Sequence, residues 1–342
     1  MVHRRVSLVS TMTVASILML VSSCATSGSG PTTESFYDQT YLWSSHNWAF
    51  RHRFPNVDAL FNAFDYGHAK LYETLWRNPG AEKAVLDQRE FQFITQDLLR
   101  HPPSVALDEA AIAPQWEKLA PEVAAMFDWA HMLHRQIYDV WADDRIPESA
   151  KDAKVDELIR YYQSRRSLAF STKPKNMNLM EGQAYSLVFR KRFPTYNGLI
   201  WSYHWLQMTL YEALLASHNP RERQENVDGV VARFWALIDS APRSLPTAMP
   251  QSPAIAPRFS DRYPEVAIIF DNLHSLHDVV SDILADDRIP RREKRRRILD
   301  AAAAYRDDVS SIVTVADWKA MADAMGLANM GGPAPLTSDA RR

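Results

Sequence analysis

The chain has 342 residues, with 39 Lys and Arg against 41 Asp and Glu, one cysteine, 20 prolines and only ten glycines. Ten glycines are about 3% of the chain, less than half of ordinary usage, too few for the turns of a β-sandwich, propeller or dinucleotide fold. A mostly helical protein is therefore expected, and the near-neutral balance gives no electrostatic case for binding nucleic acid.

In chain order, Arg4 and Arg5 precede an apolar stretch from Leu8 to Val21, which ends in Val21-Ser22-Ser23-Cys24. A basic start, an apolar run and small residues before a cut make a secretory signal. The run is short for a spanning helix. With the cut falling just before a cysteine, this segment resembles the lipobox of bacterial lipoproteins. The resemblance implies a signal peptide over residues 1–23 and acylation (palmitate) of Cys24, which becomes the mature N-terminus and the point of lipid attachment. Because Ala25 follows Cys24 rather than Asp, it also implies sorting to the outer membrane, facing the periplasm. The mature chain then keeps 41 acids and 37 bases, a charge of −4, because residues 1–23 hold two arginines and no acid. With the one cysteine acylated there is no disulfide, haem c attachment, Fe–S cluster or cysteine nucleophile. Residues 24–35 are small and polar, a flexible tether that lets the folded part stand off the bilayer.

The rest of the chain repeats itself. Phe127 to Pro147 (FDWAHMLHRQIYDVWADDRIP) matches Phe270 to Pro290 (FDNLHSLHDVVSDILADDRIP) at 12 of 21 positions, offset 143. Phe50 to Leu75 matches Phe189 to Leu214 at 10 of 26, offset 139, with FRxRFP at the start of each. Same order and nearly the same spacing mean duplication. An all-α, internally duplicated helical bundle follows, two halves of about four helices related by a pseudo-twofold: residues 36–168 and 169–325, with a flexible tail at 326–342. In each half a helix is expected after FRxRFP (57–77, 196–217), then a second (81–100, 222–240), then a proline-bearing loop (His101-Pro102-Pro103; Pro242 to Pro257). The FDxxHxxH helix comes next (121–143, 263–285). ADDRIP ends it, and Pro147 and Pro290 suit the first turn of a further helix, with Asp143, Asp144, Asp286 or Asp287 as caps. Residues 167–178 read as the connector.

On the FDxxHxxH helix, Phe127, Ala130, Leu133, Ile137 and Val140 form an apolar core stripe, matched by Phe270, Leu273, Leu276, Val280 and Ile283. A second retained set is Asp128, His131, His134 and Asp139, matched by Asp271, His274, His277 and Asp282. A solvated face would drift between copies, so this one is read as buried or functional. An acid three residues before a histidine places an oxygen and an imidazole nitrogen within reach of one ion. With Glu73 and Glu212, retained in Tyr72-Glu73 and Tyr211-Glu212, this looks in outline like the ferritin-like di-metal carboxylate bundles. That resemblance implies Glu73, Asp128, His131, Glu212, Asp271 and His274 as ligands of one or two iron or manganese ions. The family's usual acid in the motif is Glu, so Asp requires closer helices. His134 and His277 are surplus to the pattern, either hydrogen-bond partners of ligands or ligands of a histidine-richer site suited to copper, zinc or mononuclear iron. Asp65-x-x-His68 is a third such motif, whose repeat counterparts are His204 and Gln207, so His68 and His204 are further candidates.

The competing reading is structural: Asp oxygens accepting from His N–H groups and locking helices together. Arg51, Arg53, Arg190 and Arg192 are expected to pair with Asp143, Asp144, Asp286 or Asp287. GxSxG, P-loop and GxGxxG motifs are absent, so no nucleotide cofactor is expected. Trp43, Trp48, Trp201, Trp205 and Tyr203 read as core more readily than as a pocket lining. The functional expectation is a membrane-anchored lipoprotein with a His/carboxylate site for iron, manganese or copper, an O₂-dependent oxidase or oxygenase. The alternatives are a non-catalytic tethered scaffold and a metal carrier. Its partners are membrane lipid through Cys24 and an unnamed small molecule or envelope protein.

Overall fold

Proline is the first residue of seven of the sixteen α-helices among the described residues. In a computed structural model that describes residues 40–42 and 48–326, Pro55 opens α2 (Pro55–Arg77), Pro114 opens α5 (Pro114–Leu119) and Pro121 opens α6 (Pro121–Ala142). Pro194, Pro220, Pro257 and Pro264 open α10 (Pro194–Leu215), α11 (Pro220–Asp239), α13 (Pro257–Arg262) and α14 (Pro264–Ala285). The proline ring presets φ, and its missing N–H is a donor the first turn leaves unpaired in any case. The signal peptide, Cys24, the 24–35 tether, Trp43 and the tail beyond Gly326 lie outside the described residues.

The remaining elements are α1 (Ala49–Arg53), α3 (Lys83–Gln92) with a π-helical turn at Phe93–Leu98, α4 (Glu109–Ile112) and α7 (Glu148–Ser164). After these come α8 (Asn178–Glu181), α9 (Val188–Arg192), α12 (Ser252–Ile255), α15 (Arg291–Arg306) and α16 (Val315–Met325). The fold is all-α, with no strand among the described residues. The order α1 to α7 recurs as α9 to α15. The stretches expected as plain proline loops hold two short helices on each side, α4 and α5, then α12 and α13. The segment 167–178 lies along the end of α15: Ser171 donates its backbone N–H to Tyr305, and Asn176 to Ser311.

Helices α2, α6, α10 and α14 stand in the centre. The buried stripe of α6 (Phe127, Ala130, Leu133, Ile137, Val140) and that of α14 (Phe270, Leu273, Leu276, Val280, Ile283) are fully buried, as the periodicity predicts. Residues from both sequence halves share one core: the Phe127 ring meets the edge of His277 at 4.1 Å between centroids, and the His134 ring stacks on Phe270.

The retained FRxRFP and ADDRIP motifs hold helix ends together. Trp48 and Leu187, at φ 58° and 64°, sit in the left-handed region just before α1 and α9, a conformation that costs a non-glycine residue about 1–2 kcal/mol. A buried aspartate answers each: Asp139 accepts from the N–H groups of Trp48 (3.0 Å) and Phe50 (2.8 Å), and Asp282 from those of Leu187 (2.8 Å) and Phe189 (2.7 Å). Burial raises both carboxyls above their ordinary range, and the backbone donors pull them back down. Arg53 pairs with Asp144 and Arg192 with Asp287, as expected. Arg51 and Arg190 turn instead to Asp58 (3.0 Å) and to Glu181 and Asp278 (3.7 and 3.6 Å).

Capping by the ADDRIP aspartates is corrected by the structure. Helices α7 and α15 begin after Pro147 and Pro290 with no side-chain cap. Asp143 and Asp286 are taken up by the backbone and guanidinium of Arg145 and Arg288, two residues on. Lys151 reaches back from α7 to the carbonyls of Val140 (2.7 Å), Trp141 (3.2 Å) and Asp143 (3.0 Å), and Lys294 to those of Leu284 (2.6 Å) and Asp286 (3.0 Å). These buried ammonium groups satisfy the last carbonyls of α6 and α14. Lys151→Met keeps the bulk and removes the donors, and is expected to lower stability by about 2–3 kcal/mol in urea unfolding.

Candidate metal centre

The carboxylates expected as ligands fall into two groups, and most are otherwise engaged. Glu73 on α2 accepts from the N–H groups of Gln115 (2.9 Å) and Trp116 (3.0 Å), the first turn of α5. Glu212 on α10 does the same for Arg258 (3.0 Å) and Phe259 (3.2 Å) at the start of α13. Both are caps supplied from a distant helix to a helix whose own N-terminus has no side-chain cap. Asp271 accepts from the N–H (3.0 Å) and hydroxyl (2.6 Å) of Ser252 and from the indole N–H of Trp318 (2.7 Å). The six residues of the ferritin-like expectation are therefore not brought together: no group of three or more facing donors among the described residues contains Glu73, Glu212 or Asp271. Glu73→Gln and Glu212→Gln are expected to lower stability by about 1–2 kcal/mol through the weakened cap and to leave metal content, read by elemental analysis, unchanged.

The histidines converge instead. His68 from α2, His131 and His134 from α6, His204 from α10, and His274 and His277 from α14 are all at most 2% exposed. Ring centroids lie 4.5 Å apart for His68 and His277, 4.9 Å for His68 and His204, 3.9 Å for His204 and His274, and 5.6 Å for His131 and His277. One nitrogen each of His68, His204 and His277 lies within 4.8 Å of the other two. Helical spacing explains the convergence. His131 and His134, like His274 and His277, lie three residues apart and so share a face, and one further histidine arrives from each of α2 and α10.

Both ring nitrogens of His68, His131, His204, His274 and His277, and Nε2 of His134, have no hydrogen-bond partner. The exception is His134 Nδ1, 2.8 Å from the Tyr211 hydroxyl. Burial drives all six imidazoles below their ordinary pKa; neighbouring imidazoles add to the effect for all but His131, where Asp65 opposes it and Arg135 adds to it. They are neutral at physiological pH, the form in which imidazole binds metals. An unsatisfied buried polar group costs roughly 1–3 kcal/mol.

A second group lies beside the first. Glu109 at the start of α4, Asp128 and His131 place one donor atom each within 4.8 Å of the others. Behind His131 stands Asp65, its Oδ1 3.7 Å from Nδ1, and Asp65 is held in turn by Arg135 at 2.6 Å. An imidazole backed by a carboxylate that is itself fixed is how metal-binding histidines are commonly oriented. Asp128 and His131 were legible in the sequence, whereas Glu109 was not, because it falls in a stretch read as a loop and its counterpart at offset 143 is Ser252.

Comparison with known proteins gives no match: no family model matches the chain, and no curated protein or solved structure is detectably similar to it. Buried histidines and carboxylates able to hold a metal ion are present.

Proposed function

We propose that the protein is a transition-metal protein whose central site is built from His68, His204 and His277, with His131, His134 and His274 around it. The observation that carries this is the set of eleven partnerless imidazole nitrogens at the meeting of four helices. Each neutral ring offers one lone pair, and one ion can take those of His68, His204 and His277, whose facing nitrogens have no donor from the protein. An all-imidazole set with no thiolate suits copper, iron or zinc, and copper binds such ligands most strongly among the divalent first-row ions. Ligands at most 2% exposed favour electrons and molecules as small as O₂ over a bulky substrate. An O₂-dependent oxidation at copper or iron is therefore the proposed reaction class, ahead of metal carriage and of a purely structural scaffold.

The lipobox resemblance supports placing this metal protein at the bacterial envelope, tethered through Cys24 and facing the periplasm. No helix among the described residues is long and apolar enough to cross a membrane. Multiple acyl chains on one cysteine would hold the chain stably on a bilayer.

Elemental analysis of the chain purified without a metal-binding tag tests the metal reading. The expected result is copper, iron or zinc at about one or two ions per chain. Sub-stoichiometric metal in every preparation, with no rise in melting temperature on adding copper, iron, zinc or manganese, would overturn it.

A further inference from the structure

We infer that Glu109, Asp128 and His131 form a second cation site, distinct from the three-histidine site, that takes a harder divalent ion of the Mn²⁺ or Fe²⁺ class. Two carboxylate oxygens and one imidazole nitrogen lie mutually within 4.8 Å. Glu109 is 4% exposed and His131 1%. Glu109 receives a single long donor, the Trp116 indole N–H at 3.3 Å. Among the described residues no hydrogen-bond donor is seen on Asp128, and neither acid has a lysine or arginine partner. Two carboxylates held this close without a counter-charge repel each other, and a cation between them removes the repulsion. The independent sign of a ligand is His131, buried, with one ring nitrogen within 4.8 Å of both acids and no hydrogen bond at either ring nitrogen.

The other half of the sequence shows what the same positions look like when they serve structure alone. Offset 143 carries Glu109, Asp128 and His131 onto Ser252, Asp271 and His274. There Asp271 is saturated by neutral donors, the Ser252 N–H and hydroxyl and the Trp318 indole from α16. Where an acid stands in place of that serine, no such donors arrive, and the first half keeps the carboxylate pair open. Mixed carboxylate and imidazole ligands suit harder ions than an all-imidazole set does, so the two neighbouring sites differ in preference.

This site shares only His131 with the surroundings of the three-histidine site and uses neither His68 nor His204 nor His277, so replacing His204 tests the proposed function while replacing Glu109 or Asp128 tests this inference. The test is Mn²⁺ titration of the full-length chain in detergent after chelator treatment, followed by electron paramagnetic resonance. The wild type and His204→Ala should each take up one Mn²⁺. Glu109→Gln and Asp128→Asn, which keep shape and remove charge, should each weaken uptake at least tenfold, while the metal-free variants melt no lower than the metal-free wild type. In the wild type, the bound Mn²⁺ should show electron spin echo modulation from the ¹⁴N of one imidazole, a readout that does not depend on any variant folding. No uptake by the wild type, uptake unaffected by both substitutions, or bound Mn²⁺ without imidazole nitrogen coupling would overturn the inference.

Discussion

His204→Ala is expected to remove the metal from the three-histidine site and with it most of the metal-dependent stability. His204 sits at the middle of the cluster, its ring 4.9 Å from His68, 5.8 Å from His277 and 3.9 Å from His274. Deleting it leaves two imidazoles where three had faced one ion, and two-ligand sites in a dry core hold a divalent ion weakly. A ligand present at 1,000 times its dissociation constant stabilises the folded state by about 4 kcal/mol. For a chain of this size that corresponds to roughly 10 °C in melting temperature. The wild type should therefore lose roughly 10 °C on chelation and regain it on adding copper or zinc, whereas His204→Ala should show little difference between the two conditions. Without metal the variant should melt close to the metal-free wild type, because the cavity left by the ring is offset by the removal of two unsatisfied nitrogens. Differential scanning calorimetry with and without chelator reads both quantities. A chelator-sensitive melt that survives in His204→Ala would move the ion away from this residue.

Arg135→Met is the second large effect, expected to lower stability by about 3–5 kcal/mol, the range found when one partner of a buried ion pair is removed. Arg135 is 4% exposed and donates to Asp58 (3.2 Å), Asn62 (2.8 Å) and Asp65 (2.6 Å), with its guanidinium 4.6 Å from the centroid of the Phe61 ring. Methionine fills the space and keeps the apolar contact but leaves Asp58 and Asp65 without that guanidinium. Arg51 still reaches Asp58 at 3.0 Å, so the loss of the guanidinium weighs more on Asp65, the residue behind His131. Arg135→Lys should recover only part of the loss, since one ammonium cannot replace a planar fork serving three acceptors. Urea unfolding of the three proteins gives the ranking directly, and a loss below about 1 kcal/mol in Arg135→Met would show that the network is not under tension.

The long helices were legible because proline stands at or near the start of most of them and the 3.6-residue apolar stripe marks their buried faces. The histidines were legible for a related reason: HxxH at one helical face, at 131/134 and again at 274/277, is a pattern that core packing alone does not require. Glu73 and Glu212 were misread on the same ground. A carboxylate matched between the two similar segments of sequence is one the fold needs, and a carboxylate capping the backbone of a distant short helix is needed as much as a ligand is. Only the position of α5 and α13 in space tells the two apart, and those helices lie in stretches that read as loops. Asp271 looked equivalent to Asp128, yet Trp318, some fifty residues later in the chain, saturates one and not the other. Glu109 left no signal because nothing in a single acid at the edge of a loop announces that a histidine from another helix faces it.

X-ray absorption at the edge of whichever metal the purified chain carries examines the central claim most directly, since it counts imidazoles around the ion. The account predicts a shell of nitrogen and oxygen at about 2.0–2.1 Å with the outer-ring scattering of at least three imidazoles, reduced to two in His204→Ala if any metal remains. An oxygen-only shell, or an imidazole count unchanged by replacing His68, His204 or His277, would contradict it.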